Sequence, residues 1–355
     1  MNATTTTVAV DLAKTVFELA IANDQGRIIE RKRLSREAFA QFFANRPPCR
    51  IVMEACGSAH YWARTFQRQS HTVKLLPPQY VRPYVRRNKT DRADAAALLE
   101  ADRNDQILPV PVKSEEQQAL QGLHRIRSGW MGTRTARINA LRGLLREFGI
   151  VLPQGPNVAV QRAREILAET DNPVPSALRS SLVAIIEEIR DLENRIDTLE
   201  TQLQTQAKTM PTVQQLLTIP GIGLLIATAL VAAVGDFTQF RNGRHLAAWL
   251  GLTPRESSSG QRRRLGSVSK RGDPYLRMLL THGARAVLYA AQRQASLGRK
   301  PLTRLQRWVI SLAEKRGANK AVCALANKLA RIAFSVVRHR RSFDGNFAAT
   351  PATGA

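Results

Sequence analysis

Acidic residues are scarce in this chain: 28 Asp and Glu stand against 53 Lys and Arg, a formal net charge of +25 over 355 residues. An excess of that size points to a polyanionic partner, and nucleic acid is the default. Cysteine is also scarce. Cys49, Cys56 and Cys323 show neither paired nor metal-ligand spacing, which excludes a disulfide scaffold and a zinc module and fits a reduced, cytoplasmic setting. No apolar run is long enough to span a bilayer, and no charged-then-apolar signal opens the chain. The C-terminal arginines do not segregate onto one amphipathic stripe, so a membrane is not expected as a partner.

What is present is unevenly placed. Residues 1–103 carry 17 basic and 10 acidic residues, residues 104–210 carry 13 of each, and residues 211–355 carry 23 against five. The last third therefore holds most of the electrostatic grip on phosphate. The patterning divides the chain into an α/β region over 1–105, a helical linker with a coiled coil over 106–210, and a mostly helical region over 211–355.

In the first region, Thr6 to Asp11, Val16 to Ala22 and Arg27 to Arg31 read as strands, with a turn at Asn23-Asp24-Gln25-Gly26. Ser35 starts a helix through Phe39 and Phe43 that stops before Pro47-Pro48. Arg50 to Glu54 is a short buried strand, a helix follows from Ser58, and Val73 to Leu76 is another strand. The order predicts a ribonuclease-H-like mixed sheet with helices on both faces. Actin-like kinases share the opening strand that ends in Asp, but they need glycine-rich phosphate loops, and Asp11-Leu12-Ala13-Lys14 is not one.

Two acids end apolar runs, Asp11 after Val8-Ala9-Val10 and Glu54 after Ile51-Val52-Met53. Two more lie in the stretch Asn88-Lys89-Thr90-Asp91-Arg92-Ala93-Asp94-Ala95. There Thr90 caps a helix whose first turn presents Asp91 and Asp94 on one face. The helix dipole keeps both ionised, and two ionised carboxylates side by side repel unless a cation lies between them. Taken singly, each acid reads as a turn residue, a surface acid or first-turn decoration. Together they predict one site for a hard divalent cation, Mg²⁺ or Mn²⁺.

Further on, Leu178, Leu182, Ile185, Ile189, Leu192, Ile196, Leu199 and Leu203 follow a spacing of 4, 3, 4, 3, 4, 3, 4. Such a heptad seam needs a partner helix. An intramolecular hairpin against the helix at 134–148 would serve, and a dimer-forming coiled coil is the favoured expectation. Ile219-Pro220-Gly221-Ile222-Gly223 resembles the turn of a helix-hairpin-helix module, whose glycines (Gly221 and Gly223) let amides approach a phosphate. The polar stretch 253–266 reads as a flexible loop. Its Arg255, Arg262, Arg263 and Arg264, with Lys270 and Arg271 beyond, are candidate phosphate contacts, and its serines are candidate nucleophiles.

Asp11, Glu54, the Lys-Thr-Asp-Arg-Ala-Asp-Ala run at 89–95, Ile-Pro-Gly-Ile-Gly at 219–223 and Gly-Leu-Thr-Pro-Arg to Ser-Gly at 251–260 together resemble one family. It is the DEDD-motif transposases of bacterial insertion sequences, the family numbered one-hundred-and-ten, described as bridge-RNA-guided recombinases. The resemblance implies a RuvC-like N-terminal domain with Asp11, Glu54, Asp91 and Asp94 as the metal-holding tetrad. It also implies a serine nucleophile that forms a covalent phosphoserine with DNA. In the family that serine precedes a glycine, which matches Ser259 before Gly260; three serines in a row leave Ser258 as a second choice. A structured guide RNA, donor and target DNA, and a homodimer or tetramer with a composite active site are the implied partners, in a bacterial, nucleoid-associated setting. The competing readings are a RuvC-like nuclease that uses metal-activated water, and a DNA-binding protein without catalysis.

Overall fold

A computed structural model describes residues 6–85, 90–260, 262–298 and 301–345; the side chain of Asp91 also lies outside that set. The chain divides into two compact units, residues 1–115 and 116–355.

The first unit runs β1 (Thr7–Asp11), β2 (Val16–Ala22), β3 (Ile28–Ser35), α1 (Arg36–Ala44), β4 (Arg50–Glu54), α2 (Ala59–Arg68), β5 (Thr72–Leu76), α3 (Pro78–Val81) and α4 (Asp91–Asp102). Its five strands lie in the order β3-β2-β1-β4-β5. The β1–β2 and β2–β3 pairs are antiparallel, while β1–β4 and β4–β5 are parallel. This is the mixed sheet that the element order predicts.

The period-two alternation of strands sorts its side chains into two unlike faces. Val8, Val10, Ile51 and Met53 point to one side, where Phe39, Phe43, Trp62 and Phe66 of α1 and α2 complete an aromatic core. Phe39 stacks on Phe17 at 4.2 Å and meets Trp62 edge-on at 4.8 Å. Each of these large side chains contributes roughly 1.5–3 kcal/mol by leaving water. The opposite face is built from Ala9, Ala20, Ala22 and Val52, residues small enough for α4 to lie close with Ala95, Leu98 and Leu99. Ser35 caps α1 by accepting from the Ala38 amide, and Thr90 caps α4 by accepting from the Ala93 amide.

One ion-pair cluster fixes the direction of α4. Asp102, at its C-terminal end and only 8% exposed, accepts from Arg50 at 2.7 Å and from Lys74 at 2.8 Å. Arg50 opens β4, so α4 runs antiparallel to β1 and β4. Its first turn is thereby carried to the end of the sheet where β1 and β4 finish.

The second unit comprises α5 (Glu115–Arg146), α6 (Pro156–Ala168), α7 (Ser176–Lys208), α8 (Pro211–Leu217), α9 (Leu224–Val234), α10 (Gly243–Trp249), the hairpin β6 (Pro254–Glu256) and β7 (Leu265–Val268), α11 (Pro274–Leu297), α12 (Arg304–Arg316) and α13 (Ala318–Arg338). Three ion pairs join α5 to α7: Arg127 with Glu200, Arg134 with Glu193 and Arg137 with Glu188. One number rises as the other falls, so the helices are antiparallel neighbours. This corrects the expectation of an intermolecular coiled coil. Leu182, Ile189, Leu192, Ile196, Leu199 and Leu203 are buried within the single chain, the first two against Ile138, Leu141 and Leu145 of α5. A regular apolar stripe states that a partner exists but not which chain supplies it.

Candidate functional site

Strand register brings the first two acids together. Val10 of β1 pairs with Met53 of β4, and Asp11 and Glu54 are the next residues on each strand. By alternation Asp11 shares a face with Ala9, and Glu54 with Val52, which is the face covered by α4. Helix length does the rest. From Arg50 to Glu54 the strand advances about 13 Å, and from Asp102 to Asp94 the helix returns about 12 Å. Since Arg50 and Asp102 are hydrogen-bonded to one another, these two lengths direct the first turn of α4 toward the Glu54 end of the sheet. Ala95 and Leu98, on the same stripe of α4, are buried against the sheet. Asp91 is one turn earlier in α4, and its side chain lies outside the described residues.

The electrostatics link the two strand-end acids. The Cys56 thiol, just past β4, is pushed up chiefly by burial, partly offset by the Ser58 backbone, and then further by the charges of Glu54 and Asp11. Both carboxylates therefore act on one point. Among the described residues, no three His, Cys, Asp or Glu side chains gather closely enough to enclose an ion. The three acids whose side chains are described offer only carboxylate oxygens, the donor class that Mg²⁺ and Mn²⁺ take. The donor chemistry fits such a cation.

In the second unit, the stretch expected to be a loose loop is a β-hairpin. Pro254 pairs with Val268 and Glu256 with Leu265, and Ser257 donates to the Arg264 carbonyl. Ser259 and Arg262 exchange two backbone hydrogen bonds at the tip, with Gly260 at φ +55° between them. The base is clamped. Gly251, at φ +69°, lies so close to the Arg271–Gly272 backbone that an added Cβ would stand 2.6 Å from the Gly272 nitrogen. Arg277 donates to the carbonyls of Leu250 and Gly272 and ties the same crossing.

The serines differ. Ser258 donates its hydroxyl to Glu256 at 2.9 Å and accepts from the Arg264 amide at 3.2 Å, so it is part of the hairpin's structure. Ser259 is exposed, and its hydroxyl has no hydrogen-bond partner among the described residues. Arg263 is paired with Glu256 at 3.1 Å, whereas Arg255, Arg262 and Arg264 are exposed without an ion pair among the described residues. Lys270 is exposed at φ +56°, a backbone conformation that costs a non-glycine residue about 1–2 kcal/mol. Arg271 is exposed beside it.

The two glycines of the 219–223 turn are not alike. Gly221, at φ +85°, is wedged against α11, where an added Cβ would stand 2.6 Å from Val287 and 2.9 Å from the Gly283 carbonyl oxygen. Its smallness serves helix packing. Gly223 is exposed with open space around it, ahead of α9.

Two residues at the sheet were not singled out from the sequence. Glu18 of β2 pairs in register with Asp11 and so lies on the same face at the same level. It is 13% exposed and faces Arg33 at 3.8 Å. The short connection from β1 to β2 was the available signal, since it sets the register of the pair. Asp102 was the other, and its importance depends on partners 28 and 52 residues away.

Comparison with known proteins places this chain among transposases. Residues 8–150 match the DEDD transposase domain of the IS110 type, and residues 213–297 match the transposase domain of the IS116/IS110/IS902 family. A probable family 20 transposase of Pseudomonas aeruginosa is 43% identical over 93% of this chain and 96% of its own length. The transposase for insertion sequence element IS1111A of Coxiella burnetii is 37% identical over 95% of this chain and 90% of its own. The transposase for IS1328 of Yersinia enterocolitica is 37% identical over 93% and 96%. The chain belongs to the IS110 family of transposases, enzymes that cut and rejoin DNA. No helix among the described residues is long and apolar enough to cross a membrane.

Proposed function

We propose that this transposase exchanges DNA strands by transesterification at Ser259. The serine oxygen bonds to phosphorus, the P–O3′ bond breaks, and the 3′-hydroxyl leaves carrying the proton, which gives a 5′-phosphoserine. Rejoining reverses the step with the 3′-hydroxyl of another strand end, so no nucleotide cofactor is consumed. Asp11, Glu54, Asp91 and Asp94 would hold a divalent cation, Mg²⁺ or Mn²⁺, which when bound supplies Lewis acidity at the reacting oxygens. Arg255, Arg262 and Arg264 bind phosphate and offset charge that grows in the transition state. Lys270, Arg271 and Gly223 add backbone contacts to DNA.

The observation that carries this reading is the Ser259 hydroxyl, unengaged among the described residues, at an arginine-bearing hairpin tip beside a Ser258 already committed to Glu256. The +25 charge also supports a structured guide RNA as a second polyanion. Assembly as a homodimer or tetramer completes the proposal, with the acids of one chain serving the serine of another.

Mixing two inactive chains tests this arrangement. An Asp94→Asn chain together with a Ser259→Ala chain is expected to regain strand exchange, while each alone is inert. Full exchange by Ser259→Ala alone would remove the serine from the reaction and leave a RuvC-like hydrolase.

A further inference from the structure

The second unit carries a basic cleft that the serine and the acids do not account for. Its volume is about 1670 Å³, and it opens between α10, the β6–β7 hairpin, α12 and α13. Arg244, Arg304, Lys320, Lys328 and Arg331 line it. None of these five makes an ion pair among the described residues, and the only acid in the lining is Asp344. Lys328 holds its ammonium 4.2 Å from the centre of the Trp308 ring. Burial first, and then the nearby Arg331 and Arg304, push that ammonium below its ordinary range. Like charges crowded on a partly desolvated wall repel one another until an anion arrives between them.

The walls are fixed. Gly243 of α10 lies against α13 so closely that an added Cβ would stand 3.0 Å from the Arg331 Cα. The lining along α13 runs from Asn319 to Val336, a helical rise of about 25 Å. That matches about seven base-pair steps of duplex.

We propose that this cleft seats the phosphate backbone of the DNA strand that Ser259 attacks, with Trp308 holding Lys328 in position. The occupant is assigned as substrate DNA because the hairpin that carries Ser259 forms one wall, with Ser267 of β7 in the lining. That assignment rests on the strand-transfer reading; the cleft's affinity for a polyanion does not.

Two measurements on the full chain test it. The first titrates a short fluorescent DNA duplex of mixed sequence against wild type and the triple variant Arg304→Gln, Lys328→Gln, Arg331→Gln. Affinity should fall at least about 10-fold, and the slope of log affinity against log salt should flatten by about two to three, at roughly 0.9 per lost phosphate contact. The second needs no charge substitution. Cys323 lines the cleft, Cys49 is buried, and the half-buried Cys56 of the first unit is replaced by alanine in every chain used. A duplex with a mixed disulfide tethered to one phosphate should exchange with the Cys323 thiolate of wild type and of Ser259→Ala, releasing the probe's small thiol as leaving group, and should form no adduct with Cys323→Ala. Unchanged affinity and slope in the triple variant would overturn the proposal, as would crosslinking that persists in Cys323→Ala. Loss of binding to a structured RNA alone, with DNA binding intact, would also overturn it. If crosslinking holds but no serine adduct ever forms, the nucleophile assignment fails and the cleft stands.

Discussion

The sheet end of the first unit and the hairpin tip of the second are built on opposite plans. At the sheet end the three proposed metal-holding acids whose side chains are described are placed by long-range features: strand register for Asp11 and Glu54, and the Arg50–Asp102–Lys74 cluster at the far end of α4 for Asp94. At the hairpin only the base is held, by the close crossing of Gly251 and Gly272, and Ser259 stands at an exposed tip. The contrast teaches a division of labour. Under the proposed mechanism, a cation site needs several donors fixed relative to one another, whereas a nucleophile delivered to a bulky duplex needs reach.

Substitutions should separate the two plans, and the largest effect belongs to the acids. Asp11→Asn or Asp94→Asn is expected to lower strand exchange by at least about 10³-fold, as removal of a transition-state electrostatic contact does. DNA affinity measured by gel shift should stay within a few-fold. Equal loss of binding and exchange would mean that these acids hold the fold and not the chemistry.

Next comes the pin. Asp102→Ala leaves Arg50 and Lys74 without their buried partner and should destabilise the first unit by about 2–3 kcal/mol, read as a shift in denaturant midpoint. It should also depress exchange, because α4 loses what aligns Asp94. A stable Asp102→Ala protein with full exchange would break the argument that this cluster sets the level of α4.

A pH titration addresses the second unit. His124 is buried, facing the Thr228 hydroxyl at 2.9 Å and the Tyr275 hydroxyl at 3.0 Å. Burial first and Arg127 second push its pKa down to about 4, against about 6.5 for an unfolded imidazole. Between those values the unfolded chain binds the extra proton. Stability from neutral His124 is therefore complete above pH 6.5 and is lost as pH falls toward 4, by about 2–3 kcal/mol. His60 in the first unit, also pushed to about 4 by burial and then by Lys113 and Arg64, carries the same sign. His124→Gln should flatten the acid limb of a melting curve for the second unit; an unchanged limb would assign that loss to other groups.

The smallest effect should come from Ser258→Ala. It removes the hydrogen bonds to Glu256 and the Arg264 amide at an exposed site. Exchange should fall by no more than about 10-fold, in sharp contrast to Ser259→Ala.

Much of the first unit was legible before any coordinates, because alternation and capping are local signals. β2 and β4 fall where their apolar patterns place them, and Ser35 and Thr90 cap their helices as expected. Residues whose role depends on register or distant partners were not legible. Glu18 looks like a strand's solvent-side acid until the pairing with Asp11 is known, and Asp102 looks like an ordinary helix-end acid. The β6–β7 hairpin escaped notice for a different reason. Apart from Val268, which is half-buried, its strand residues are exposed, so no buried face wrote an alternating pattern into them. Six of the eight seam positions at 178–203 are buried, Leu178 and Ile185 are half-buried and Ile186 is buried beside them, and the partner covering the seam was a matter of topology.

The most direct test is to quench a reaction of the full chain with its element-end DNA and map the protein–DNA adduct by peptide mass spectrometry. The account predicts a nucleotide attached through phosphate to Ser259, absent in EDTA and absent in Asp94→Asn. Cleavage that proceeds with no adduct, or an adduct carried by Ser258, would contradict it.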